Sequence, residues 1–161
     1  MTQNHHPLRY WDEAEEGAEL PPIAKAPNTV QLAMYSAITG IFHRIHYDLP
    51  FAQSDGLPGV LVHGPLHGAL ITQVVTNWMG PTGFLKRVGW NNRGMAVVGE
   101  TLVCKGVVTR RYVEDGEHLV DCEIWNENER GERLTVGTAI VPHQARAGSR
   151  RAPPSFRVDT H

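Results

Sequence analysis

The feature that most limits how this chain can fold is one helix-like segment apolar around most of its girth, followed by strand-like runs that are apolar on one side only. Pro65 suits a first helical position, where its missing N–H would have had no partner. The spacing predicts a helix from Pro65 to Trp78, ended by Gly80-Pro81. Leu66, Ala69, Leu70, Val74 and Trp78 mark one side of it. Ile71 and Val75, with Leu70 and Val74, extend the apolar surface most of the way round. Such a helix must be covered by other parts of the chain.

The later strand-like runs supply that cover. Leu102–Val113 and Leu119–Trp125 flank Asp115-Gly116, a strong tight-hairpin signal, and Leu134–Val141 comes after a second turn at Arg130-Gly131. With Asp115-Gly116 as the turn, Arg110 falls opposite Asp121, a favourable cross-strand pair, Cys104 faces Glu127 and Cys122 faces Thr109. One face then carries Val103, Val107, Val120, Cys122 and Ile124, and the other is wet, as in an antiparallel sheet covered on one side. The two cysteines lie on the order of 16 Å apart along the strands, too far for a disulfide, so both are read as reduced structural residues. The implied class is α+β, a sheet laid on a helix.

The remaining segments fill in around this core. At 161 residues the chain fits one domain, assigned to residues 1–143, with residues 1–28 as an extended lead-in stiffened by Pro21 and Pro22. Arg9-Tyr10-Trp11-Asp12 is a candidate aromatic strand or arm. Thr29 is a candidate N-cap for a short helix through Ile38, with Val30, Met34 and Ile38 on its apolar face, Ala33 and Ala37 beside them, and Gly40 as the stop. Residues 41–63 read as an irregular loop. Residues 144–161, rich in Arg, Pro and Ser, are expected to be disordered. A formal net charge of -2 gives no reason to expect nucleic acid or an anionic membrane. The longest apolar stretch, Gly68 to Val75, is too short to span a bilayer, and the first residues do not read as a signal peptide, so a cytoplasmic location is expected.

Two spaced segments carry a resemblance. Gly40-Ile41-Phe42-His43-Arg44-Ile45-His46-Tyr47-Asp48, then Pro58-Gly59-Val60-Leu61-Val62-His63-Gly64, resembles the motif of the MaoC-like or (R)-specific enoyl-CoA hydratases, and is similar to type 2 3-hydroxyacyl-thioester dehydratases and mesaconyl-CoA-type hydratases. The match rests on His46, Asp48, Pro58, Gly59, His63 and Gly64. The resemblance implies a hot-dog fold, an antiparallel sheet wrapped around one long central helix. It also implies reversible addition of water to a 2-enoyl-CoA, no cofactor, and pairing as a homodimer or as a heterodimer with a second hot-dog subunit. The sequence departs from the family at two positions: the family's catalytic Asp falls on Ile41, and its Asn on His43. In the ordinary enzymes that Asp and the His together hold and deprotonate the water. Here a His-only mechanism, help from His43 or Asp48, or chemistry shared with a partner subunit remain open.

Hydration of an enoyl thioester needs a base for the water and fixed donors for the thioester oxygen, where negative charge builds. His46 is the candidate base, since an ordinary imidazole titrates near neutral pH. Gly64, at the predicted helix start, is the candidate oxyanion residue, because a helix N-terminus offers free N–H groups and a glycine lets a substrate come close. His43, Asp48 and His63 are possible auxiliaries. For each there is a plainer role: His43 fills space, Asp48 bonds loop amides ahead of Pro50, and His63 is a contact at the helix start. His67 is assigned to the core or an interface. Arg87, Trp90 and Arg93, in the basic stretch from Lys86, are candidates for gripping the phosphates of coenzyme A, against the reading of a solvated strand edge. His43 with His46, and His63 with His67, have spacings seen in metal sites. No carboxylate stands at metalloprotease spacing and no Cys is near, so no metal is expected. Two other functions compete: a non-catalytic or half-site acyl-CoA-binding subunit of a heteromeric hydratase, and a hot-dog thioesterase.

Overall fold

The computed structural model describes residues 10–81 and 83–146. A five-stranded antiparallel sheet holds β1 (Glu19–Lys25), β2 (Arg87–Asn92), β3 (Leu102–Glu114), β4 (Glu117–Glu127) and β5 (Arg133–Pro142), in the spatial order β1-β3-β4-β5-β2. Three helices lie between β1 and β2: α1 (Thr29–Thr39), the short α2 (Leu49–Ser54) and the long α3 (Gly64–Met79). The sheet wraps α3, which touches all five strands. This is the hot-dog arrangement.

The expected central helix extends one residue further at each end than the spacing predicts. Leu66, Leu70, Ile71, Val74 and Val75 are buried in the core with Leu102, Cys104, Val108, Val120, Cys122, Ile124 and Val141. Ala69, placed on the buried side from the spacing, is exposed, as are Pro65, Gln73 and Asn77 at four-residue intervals. One narrow stripe of α3 therefore faces outward. On the inner side Gly64 and Gly68, one turn apart, let β2 close in. A Cβ at Gly68 would clash with the Trp90 ring at 2.1 Å, and one at Gly64 would sit 2.5 Å from the Asn92 side-chain nitrogen. Trp90 and Asn92 are two apart on β2 and so share its helix-facing side.

The hairpin turn forms at Asp115-Gly116, both with positive φ (51° and 82°), as a tight hairpin needs. Arg110 pairs with Asp121 as expected. Beyond that pair the register slips, because a bulge at Thr109 leaves Val108 opposite Cys122. Cys104 therefore meets Asn126 rather than Glu127, and Cys122 meets Val108 rather than Thr109. The same slip moves Val103 and Val107 off the core face of β3 and puts Leu102, Cys104 and Val108 on it. Both thiols stay free and buried, and burial pushes them up to about 11 for Cys104 and about 12 for Cys122.

Two further expectations change. The lead-in contains β1, which pairs with β3 and has a register shift between Leu20 and Ile23, where Pro21 and Pro22 have no N–H to give. Trp11–Glu13 is a single 3₁₀ turn, not a strand; the Trp11 indole donates to the Leu119 carbonyl. Arg9 and residues 147–161 lie outside the described residues, whereas the Gln144 carbonyl accepts from the Trp11 N–H.

α1 is the largest departure. Its N-cap is Asn28, whose side chain accepts from the Gln31 N–H, and Thr29 is the first helical residue; Gly40 ends it in the left-handed conformation. Its expected core face is turned outward: Val30, Met34 and Ile38 are 67%, 59% and 81% exposed. The residues facing in are Leu32 and Ser36.

Candidate active site

The site is built where the segment after α1 crosses the start of α3. His43 to Asp48 hold a 3₁₀ turn, Arg44–His46, followed at once by α2. Asp48 caps α2 through the Phe51 N–H (3.0 Å) and pairs with the Arg44 guanidinium (2.7 Å). The Phe51 amide and Arg44 hold its carboxyl below the usual aspartate value. Asp48 is thus committed to the local fold, and its hydrogen bonds go to Phe51 and Arg44 rather than to His46.

That turn aims His46 at the mouth of α3. Its Nδ1 lies 2.8 Å from the Leu61 carbonyl oxygen. A carbonyl can only accept, so Nδ1 carries the proton and Nε2 keeps a lone pair. Nε2 has no hydrogen-bond partner among the described residues, and it is not sealed away in the core. The His46 ring lies face to face with that of His63, centroids 3.8 Å apart and planes 17° from parallel. His63 is the N-cap of α3 and immediately precedes Gly64, its first residue. As that first residue, Gly64 has an N–H with no intrahelical acceptor. The structure thus brings His46, His63 and Gly64 together.

His63 is fully buried. Its Nε2 lies 2.9 Å from the Ser36 hydroxyl, and the Tyr35 ring packs on it at 5.0 Å. Burial, with a smaller push from the neighbouring His46, drives its pKa down to about 4. His63 is therefore a neutral ring at neutral pH, held on one face by His46. Ser36 is buried on α1, and the sequence pattern offered no sign of it. A lone serine in an apolar helix has no periodic signature, and its role appears only once α1 is laid over α3.

The other candidates lie further from this cluster. His43 is exposed, its ring 6.4 Å from that of His46, and its Nδ1 accepts from the Ile45 N–H. Ile41, which stands where the related motif has an acid, is half-buried. His67 is buried in the core against Asn126 (2.9 Å), and burial lowers its pKa. The basic stretch forms edge strand β2. Strand alternation sends Trp90 toward α3 and Arg87 to the opposite face; Arg93 comes just after the strand and is exposed. Trp90 and Arg87 therefore do not share a face. Among the described residues no three His, Cys, Asp or Glu side chains cluster as metal ligands would, and no helix is long and apolar enough to cross a membrane.

The family model described as hydroxyacyl-thioester dehydratase type 2 matches residues 7–98, more than half the chain and both motif segments. The chain belongs to that family. A mesaconyl-C(4)-CoA hydratase of Chloroflexus aurantiacus is 44% identical over 63 residues; the match covers 35% of this chain and 22% of that one, so the chain spans under a quarter of that relative. The beta subunit of a 3-oxo-4,17-pregnadiene-20-carboxyl-CoA hydratase of Mycobacterium tuberculosis is 25% identical over 120 residues, 74% of this chain and 90% of the subunit. An R-hydratase of Pseudomonas aeruginosa superposes with a TM-score of 0.77 at 19% identity, over 92% of this chain and 96% of that one. This last likeness shows the fold. Within this dehydratase family, the His46–His63–Gly64 cluster falls inside the matched region.

Proposed function

We propose that this dehydratase-family chain interconverts a 2-enoyl-CoA and a 3-hydroxyacyl-CoA, with His46 as the base and the Gly64 N–H as an oxyanion donor. One observation carries the reading: the His46 Nδ1–H donates to the Leu61 carbonyl, which leaves Nε2 free to accept, and the ring lies stacked on the residue that precedes Gly64. Nε2 takes a proton from water as the oxygen bonds to C3 of the enoyl group. The displaced electron pair moves through C2 to the thioester oxygen, where the Gly64 N–H and the positive end of α3 meet it. As the electrons return from the thioester oxygen to C2, the His46 imidazolium delivers its Nε2 proton there and is neutral again. One such donor lowers the barrier by about 3 kcal/mol. Neutral His63 favours the step, because its ring puts no second positive charge against His46 when that ring takes a proton. Arg93 supplies charge for the phosphates of coenzyme A, and Arg87 adds to the positive field from the outer face.

The second reading is a half-site subunit. Ile41 in place of an acid, and a relative that is itself named a beta subunit, support it. Pairing with a second hot-dog chain, of the same or another kind, is proposed through β2. Of the two edge strands, β1 carries two prolines that cannot donate, whereas β2 has a full set of N–H groups.

The test is to incubate the purified chain, alone and with any co-purifying hot-dog partner, with crotonyl-CoA and longer 2-enoyl-CoAs, monitoring 3-hydroxyacyl-CoA by mass and free thiol by colour. Hydration by the chain alone supports the main reading, and hydration only with the partner supports the half-site reading. Thiol release without hydration would overturn both in favour of a thioesterase.

A further inference from the structure

We propose that the side-chain amide of Asn92 is a second oxyanion donor, acting with the Gly64 N–H on the thioester carbonyl; this rests on the reading of His46 as base and Gly64 as donor. Asn92 ends edge strand β2 and faces the first turn of α3. A Cβ at Gly64 would sit 2.5 Å from its Nδ2, so Nδ2 lies within about 4 Å of the Gly64 Cα and about 5 Å of the Gly64 nitrogen by covalent geometry. Two donors that far apart can both reach one oxygen at ordinary hydrogen-bond length. The orientation of the amide is fixed from behind. The hydroxyl of Thr135, a fully buried residue, donates to Asn92 Oδ1 at 2.9 Å, which turns the NH₂ group toward the helix start. Nδ2 itself has no hydrogen-bond partner among the described residues.

The surroundings point the same way. Asn92, Thr135 and Asn126 are successive register partners across β2, β5 and β4, a polar row crossing the concave face of a sheet that is otherwise apolar where it meets α3. The sheet does not need their side chains for its own ladder, and the Asn126 side-chain oxygen is left without a partner. A glycine at position 64 is also accounted for, since any side chain there would push the amide away. Thr135 is a positioning residue in this scheme, and Asn92 touches the substrate.

The experiment compares wild type, Asn92→Ala, Thr135→Val and His46→Gln in two readouts: hydration of crotonyl-CoA, and the infrared carbonyl stretch of bound butyryl-CoA carrying ¹³C at the thioester carbon. The wild type is expected to lower the carbonyl frequency relative to free butyryl-CoA. Asn92→Ala should return it part-way toward the free value and reduce kcat on the order of 10²-fold. Thr135→Val should shift both in the same direction by less, and His46→Gln should slow hydration by about 10²–10⁴-fold while leaving the carbonyl shift. Asn92→Ala with wild-type kcat and wild-type carbonyl frequency would overturn the proposal, as would a wild type that leaves the carbonyl unshifted or binds no butyryl-CoA. If the wild type polarises the carbonyl in an Asn92-dependent way but hydrates no enoyl-CoA, the donor pair stands and the hydratase reading falls.

Discussion

α3 and α1 have much the same apolar periodicity, yet the chain covers one and leaves the other open. Ile71 and Val74 on α3 are fully buried, whereas Met34 and Ile38 on α1 are mostly exposed. What separates them is the neighbouring structure: α3 meets every strand of the sheet, whereas α1 meets the 3₁₀ turn Arg44–His46 and, through Tyr35 and Ser36, the His63 ring. For α1 the inward side was chosen by Leu32 and by Ser36, which reaches the buried His63. Apolar spacing tells which residues share a face; it does not say that the same chain will supply the cover.

The comparison can be broken by substitution. Ile71→Ala should destabilise the fold most, by about 2–5 kcal/mol, since it opens a cavity under the sheet. Urea unfolding reads this directly. Ser36→Ala should cost about 1–3 kcal/mol, by leaving the buried His63 Nε2 without a partner. Met34→Ser and Ile38→Ser should each move stability by no more than about 0.5 kcal/mol. A cost for Ile38→Ser equal to that for Ile71→Ala would show that α1 is covered after all.

Acid sharpens the same contrast. The pKa of His63 falls from an ordinary 6.5 to about 4 on folding, so between these values the unfolded chain binds a proton that the native one refuses. Its contribution to stability is complete above about pH 6.5 and is lost progressively as pH falls toward 4. Urea midpoints for wild type and His63→Phe, taken at pH 7 and at pH 5, should show a smaller drop in the variant. An equal drop would mean that the ring is not held neutral.

How much of the molecule was legible in its sequence tracks the range of the interactions involved. α3 was legible because four core residues repeat within two turns, and the β3–β4 hairpin because Asp115-Gly116 accepts positive φ locally. The bulge at Thr109 was not, since nothing in Val108-Thr109-Arg110 distinguishes a slipped register from a regular one. β1 was missed as a strand because two prolines interrupt it, whereas the basic stretch from Lys86 was legible as a solvated strand edge and forms β2. His46 and Gly64 were legible by resemblance. Ser36, Asn92 and Thr135 are brought to the site by contacts across 27 to 43 residues of chain, and no local pattern announces those.

The central claim is that the His46 imidazole, tied at Nδ1 and free at Nε2, moves the proton. The most direct test is the saturated rate of enoyl-CoA hydration by His46→Gln, with folding verified by its urea midpoint. A fall of about 10²–10⁴-fold against wild type is predicted. A folded variant that hydrates within a few-fold of the wild-type rate would contradict the account.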